Sequence, residues 1–272
     1  MGLVAGAGRL PFALARGARR AGHRVAIVAF EGFADAALAA EADTLSWVRI
    51  GELGALLDRL REAGACEVVV AGTVPKEQLF ARSGAIRLDA RGAAFLAQLR
   101  DRSDDAILRG LGAALEAEGI PVAAQTAYAE DLLAPAGVLG AVVPTRDQMA
   151  DVAFGWPLAK AVGRLDIGQT VVVKGRSVLA VEAIEGTDAA VRRGGALGRG
   201  GVTVLKVFKP GQDPRFDAPT VGPETVATLA EAGAVLLAVE AGRTLLVDRE
   251  AMVARADAAG IALVGVPTEG PR

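Results

Sequence analysis

Cysteine and histidine are almost missing from this chain, which has one of each in 272 residues, Cys66 and His23. A lone cysteine excludes an internal disulfide framework, and one Cys with one His cannot furnish a structural zinc site, so any bound metal should be a hard one with oxygen ligands. His23 reads as a surface or strand-end residue, and Cys66, just before an apolar stretch, as inert packing. No apolar run reaches the roughly 18 residues of a spanning helix. The opening Met1–Pro11 is too glycine-rich and too short in apolar run for a signal sequence. An excess of either charge is missing too, with 30 basic residues against 32 acidic ones. That balance lacks the broad basic surface of a nucleic-acid binder, so DNA and RNA are not expected partners. A globular, cytoplasmic protein is the expectation.

What is present is apolar residues, 52% of the chain, enough to bury a sizeable core in two domains or one large one. Leu3–Ala5 reads as a strand, Leu10–Ala21 has helical spacing and Arg24–Ala29 is again β-rich, a βαβ opening. A second cycle follows: helix 52–63, strand 67–71, helix 104–118 with Ser103 as a candidate cap, and strand 121–124. This alternation predicts an α/β fold, with a Rossmann-like parallel-sheet domain first. Pro135, Gly137, Gly140 and Pro144 crowd together, which places a boundary there, giving an N-terminal domain 1–134 and a C-terminal domain 135–272. The second half reads differently, as an α/β domain with a mixed sheet. It has helix 146–162, a hairpin of strands 170–174 and 177–182, a short helix near Asp188, strand 202–207, helix 222–232, strands 235–239 and 244–247, helix 249–259 and strand 261–266.

The segment from Lys206 to Gly222 holds two lysines, two aspartates, an arginine and a glutamine among three prolines. Prolines fix φ and remove donors, so Lys209, Asp213, Arg215 and Asp217 lie on a stiff, non-helical path. Carboxylates interleaved with cations suit metal-assisted phosphoryl chemistry; ordinary surface ion pairs are the other reading. Gly6-Ala7-Gly8 leaves the first strand and opens a helix, where backbone N–H groups and the helix dipole can hold a phosphate. Pro11 stands where a dinucleotide fingerprint needs its third glycine, although Glu31 could stand in for the ribose-binding acid; a structural tight turn is the alternative. Gly72-Thr73 leaves a later strand in the same manner. In the second half Gln169 precedes a strand, and Gly186-Thr187-Asp188 follows its hairpin partner. Thr187 reads equally as a helix cap or a ligand contact. Gly194–Gly201 reads as a flexible lid.

Taken together, the motifs Gly6-Ala-Gly-Arg-Leu-Pro11, Ile50-Gly-Glu-Leu-Gly54, Asp104-Asp105, Gly163-Arg-Leu-Asp-Ile-Gly-Gln169, Leu179–Asp188, Lys209–Asp213, Arg215–Gly222 and Glu240-Ala-Gly-Arg243 resemble one family along nearly the whole chain. It is the two-domain, Mg²⁺-dependent type of UDP-2,3-diacylglucosamine pyrophosphatase of lipid A biosynthesis, unrelated to the metallophosphoesterase type. The resemblance implies a substrate held between the domains and cleavage to UMP and 2,3-diacylglucosamine 1-phosphate. It implies an essential aspartate at Asp217. Charge accounting at a pyrophosphate makes Lys209 and Arg215 the cations for the phosphates and Asp217 a metal ligand or base, with Asp213 and Asp188 as further metal candidates. Gly6, Ala7, Gly8, Gly72, Thr73, Gln169, Gly186, Thr187, Asp188 and Gln212 are the candidate substrate contacts. Two acyl chains need an apolar channel, for which the helix faces 93–99 and 149–162 are candidates, core packing being their other use. Peripheral contact with the inner membrane and a homodimer are left open. The competing classes are a non-catalytic nucleotide-sugar or lipid binder and a nicotinamide or flavin oxidoreductase.

Overall fold

A short apolar run that a glycine loop turns into an amphipathic helix is the unit that opens the chain. In the computed structural model β1 (Gly2–Ala5) is buried along its length, and α1 (Leu10–Arg20) turns Leu10, Phe12, Leu14, Ala15 and Ala18 inward. The structure describes residues 1–74, 87–99, 104–211, 213, 215–216 and 218–271, without the side chains of Asp104 and Asp105. The chain divides into two compact units, Met1–Glu130 with Asp213–Asp217, and Asp131–Gln212 with Ala218–Arg272.

In the first unit β2 (Ala26–Phe30), β3 (Thr44–Val48) and β4 (Val68–Ala71) join β1 in a parallel sheet ordered β3-β2-β1-β4. Connections between parallel strands need crossovers. Two of them are α1 and α2 (Leu53–Glu62), whose Leu56, Leu57 and Leu60 bury against Val4, Val28 and Val70. Helices α3 (Ala90–Gln98) and α4 (Asp104–Ala117) follow, the latter adding Leu115 to the same core. The strand expected at 121–124 is a single parallel bridge, Val68 to Val122, since Pro121 has no N–H to extend a ladder. The sequence reading passed over β3, whose residues are largely exposed or half-buried, so no apolar run marks it. Cys66 is exposed, a correction to the packing expected for it.

The second unit carries the mixed sheet that was expected, ordered β5-β12-β10-β8-β6-β7. Its strands are β5 (Gly137–Val138), β6 (Thr170–Lys174), β7 (Ser177–Val181), β8 (Val202–Lys206), β10 (Ala234–Glu240) and β12 (Ala262–Val266). β8, β10 and β12 run parallel, while β6 is antiparallel to both β7 and β8. Successive strand residues point to opposite faces, and here both faces are covered. Val171 and Val173 meet Val152, Trp156 and Ala159 of α5 (Arg146–Arg164) on one side, so the inward face of this helix is core packing. Val172 lies on the other side in a cluster with residues of α6 (Thr187–Gly198), α7 (Pro223–Glu231) and α8 (Arg249–Ala258). Thr145 and Gln148 form a capping box that starts α5. The expected strand 244–247 is β11 (Leu245–Leu246), paired with β9 (Thr220–Val221) in a separate two-stranded sheet.

Gly194–Gly198 is helix rather than lid. A Cβ on Gly194 would stand 2.5 Å from Val172 Cγ1, and one on Gly195 2.3 Å from Ala232 O, so these glycines bring α6 close to its neighbours. Ser103 lies outside the described residues.

Candidate active site

In the first unit the carboxyl ends of β1 and β4 are tied to each other. Gly6 N–H donates to Ala71 O at 2.8 Å, Ala7 N–H to Thr73 O at 2.8 Å and Thr73 N–H to Ala7 O at 3.0 Å. Gly6 and Gly72 are what lets the two chains come this near: a Cβ on either would stand 2.7 Å from a backbone oxygen of the other chain. Gly6, Ala7, Gly72 and Thr73 are thereby brought together. The N–H groups of Gly6 and Ala7 are already committed, however, and Pro11 in the first turn of α1 has none to give. Gly8 (φ +99°) faces open space. Glu31 is held by the exposed Arg49 at 3.0 Å.

The segment Asp213–Asp217 belongs to this unit. Phe216 is buried in the core formed by Leu115, Ile120 and Val122, and a Cβ on Gly112 would stand 2.7 Å from its ring. Gln125, 2% exposed, donates through Nε2 to Val70 O and to Phe216 O, both at 2.8 Å. The sequence reading missed Gln125, since a single polar residue 91 positions from its partner leaves no local signal. Asp213 accepts from Arg215 N at 3.0 Å, from Nε at 3.0 and 3.1 Å and from the terminal guanidinium nitrogen at 2.7 Å. Arg215 also donates to Glu116 at 2.5 Å. The hydrogen bonds from Arg215 hold the Asp213 carboxyl below the usual carboxylate range against the opposing effect of burial, and that same carboxylate raises the guanidinium above its ordinary value. Gln212 and Asp217 lie outside the described residues.

In the second unit antiparallel β6 starts where β7 and β8 end. This gathers Gln169, Glu182, Lys206 and Glu240 at one end of the sheet, and ligands of α/β sheets sit at carboxyl strand ends. Glu182 accepts from Gln169 N–H at 3.3 Å and from the Thr187 hydroxyl at 2.8 Å. Gly168 makes room, because a Cβ there would stand 2.1 Å from Glu182 O. Gly186 (φ +80°) is the cap residue of α6, so Thr187 does not cap the helix; its hydroxyl is spent on Glu182. Asp188 lies in the first turn of α6, where the helix dipole favours an acid. Gln169 Oε1 is buried with no hydrogen-bond partner among the described residues. Lys209 pairs with Asp166 at 2.8 Å. Lys206 is buried and donates to Thr220 O at 3.0 Å.

Among the described residues no three Asp, Glu, His or Cys side chains gather as a metal cage. Asp213, the described candidate in the first unit, has both oxygens on Arg215. None of the described helices is long and apolar enough to cross a membrane.

Two units, one on a parallel sheet and one on a mixed sheet, with glycine turns and charged side chains at their strand ends, define the class as an α/β protein. Residues 1–132 match the model of the LpxI N-terminal domain and residues 135–264 that of the LpxI C-terminal domain, so the chain belongs to the LpxI family. A curated relative from Caulobacter vibrioides, named UDP-2,3-diacylglucosamine pyrophosphatase LpxI, is 40% identical over 284 residues, covering 100% of this chain and 99% of its own. Among solved structures, phosphoribosylglycinamide synthetase from Anaerococcus prevotii shares 12% identity over 63% of this chain and 31% of that one, with a TM-score of 0.25.

Proposed function

We propose that the chain hydrolyses the pyrophosphate of UDP-2,3-diacylglucosamine to UMP and 2,3-diacylglucosamine 1-phosphate in lipid A biosynthesis. The observation that carries this reading is the match of both halves of the chain to one family, together with the full-length relative that bears the activity in its name. A pyrophosphate presents anionic oxygens that repel an incoming water or hydroxide, so cationic groups must offset that charge before attack at phosphorus. Lys209 and Arg215 are the residues we assign to that task. A guanidinium has five N–H donors, more than Asp213 and Glu116 occupy. Asp217 is assigned the essential carboxylate role, on the family motif Arg215-x-Asp217-x-Pro219.

Mg²⁺ is part of the proposal, on the chemistry of a pyrophosphate. The described carboxylates do not by themselves make a cage for it. Cytoplasmic placement with reversible contact at the inner membrane is also part of it, because a diacylated substrate partitions into lipid.

Product analysis tests the reading. Purified protein with UDP-2,3-diacylglucosamine and Mg²⁺ should release UMP and acylated sugar phosphate, and chelation and Asp217→Ala should each abolish release. Folded protein that binds the substrate without releasing UMP would make this a nucleotide-sugar or lipid binder instead.

A further inference from the structure

Phe208 occupies the position between β8 and Lys209, and three charged side chains of the second unit converge on it. Glu240, fully buried at the end of β10, accepts from Phe208 N–H at 2.9 Å and from Lys160 Nζ at 2.8 Å through the same oxygen. Lys160, on α5, turns the same Nζ to Phe208 O at 3.0 Å. Both backbone polar groups of one residue are thus held by the two members of one ion pair. Arg243 lies over the Phe208 ring at 5.1 Å and stands 3.6 Å from the other Glu240 oxygen, which is buried and without a hydrogen bond among the described residues. Gly163, one turn beyond Lys160, lets α5 approach Lys209: a Cβ there would stand 3.3 Å from Lys209 Cα and 3.2 Å from Pro210 Cδ.

A buried ion pair is a poor means of stabilisation, since desolvating two charges offsets most of their attraction and packed apolar side chains do as well. Its use here is geometric. Neither partner is near the other in sequence, and their shared target is the peptide that starts the charged loop. We infer that Lys160 and Glu240 are positioning residues that clamp Phe208 and so fix where Lys209 stands for the chemistry. This deepens the pyrophosphatase reading and rests on it.

The test compares wild type with Glu240→Gln, Lys160→Met and the double variant, which carries no lone buried charge and keeps the comparison readable where a single variant unfolds. Turnover and KM for UDP-2,3-diacylglucosamine are measured beside amide hydrogen exchange of Phe208 and thermal unfolding. The clamp predicts kcat lowered at least tenfold with KM changed less than threefold, faster exchange at Phe208, and a double variant little worse than the worse single one, because the pair acts as a unit. Lys160→Arg should restore part of kcat. Folded variants with wild-type kcat and only a lower unfolding temperature overturn the clamp and leave the hydrolase reading intact. Unchanged Phe208 exchange in the double variant overturns it as well. Absence of UMP release by the wild-type protein overturns the hydrolase reading, and the clamp's catalytic role with it.

Discussion

Three glycines at the carboxyl end of the first sheet separate two physical demands that are usually confounded. Gly6 has ordinary φ, but a Cβ on it would stand 2.7 Å from Thr73 O. Gly8 has φ +99° with nothing within 4 Å of its missing Cβ, and Gly72 has both problems, φ +88° and contacts of 2.7 Å to Ala7 O and Gly6 C. Backbone atoms cannot swing aside as a side-chain end can, so Gly6→Ala must separate the strand ends, at about 1–3 kcal/mol. Gly8→Ala meets only the left-handed backbone penalty, about 1–2 kcal/mol. Gly72→Ala should cost roughly the sum, about 2–5 kcal/mol. Urea unfolding reads this out: Trp47 sits in the first unit and Trp156 in the second, so a Trp156→Phe background reports the first unit by its own fluorescence. With an m-value of about 1–3 kcal/mol per molar, the Gly72→Ala midpoint should fall by roughly 0.7 M or more. If Gly72→Ala proves no more costly than Gly8→Ala, the close approach of Gly6-Ala7 to Gly72-Thr73 is wrong.

Two further outcomes are expected. The Asp213 carboxyl is held low by Arg215, so its pairing stabilises the fold fully above the ordinary carboxylate pKa and loses that stabilisation as pH falls through the lower, folded value. The stability difference between wild type and Asp213→Asn should therefore shrink as pH drops from about 4 downward, and a difference constant between pH 7 and 3 would count against the pair. Gln125→Leu strips the donor from two buried carbonyls, Val70 O and Phe216 O, and should cost about 2–4 kcal/mol. It should also lower turnover, since Phe216 precedes Asp217; a fully stable, fully active Gln125→Leu would refute that anchoring.

The strand and helix pattern was legible because it is a local property. Apolar runs such as Val68–Ala71 and the amphipathic face of α1 carry their burial in their own spacing, and the parallel first sheet and mixed second sheet follow from the order of those elements. β3 escaped notice because its residues are mostly not buried, and the glycines of 194–198 were misread because composition cannot distinguish a flexible tract from a helix pressed against Val172 and Ala232. The charged loop stood out by composition, as did the glycine turns at strand ends.

What the amino-acid order alone determined was therefore the inventory: two α/β halves, a Gly6-Ala7-Gly8 turn, a charged and proline-stiffened loop, and a family pattern spread along the chain. Only the tertiary structure decided how the inventory is spent. It committed the Gly6 and Ala7 N–H groups to the end of β4, turned Thr187 from cap to partner of Glu182, placed Phe216 in the first unit's core and joined Lys160 to Glu240 across 80 residues. The reason is physical: backbone conformation is dictated by neighbours along the chain, whereas a buried donor or charge takes whichever partner the packed fold brings within 3 Å, and no spacing in the sequence records that choice.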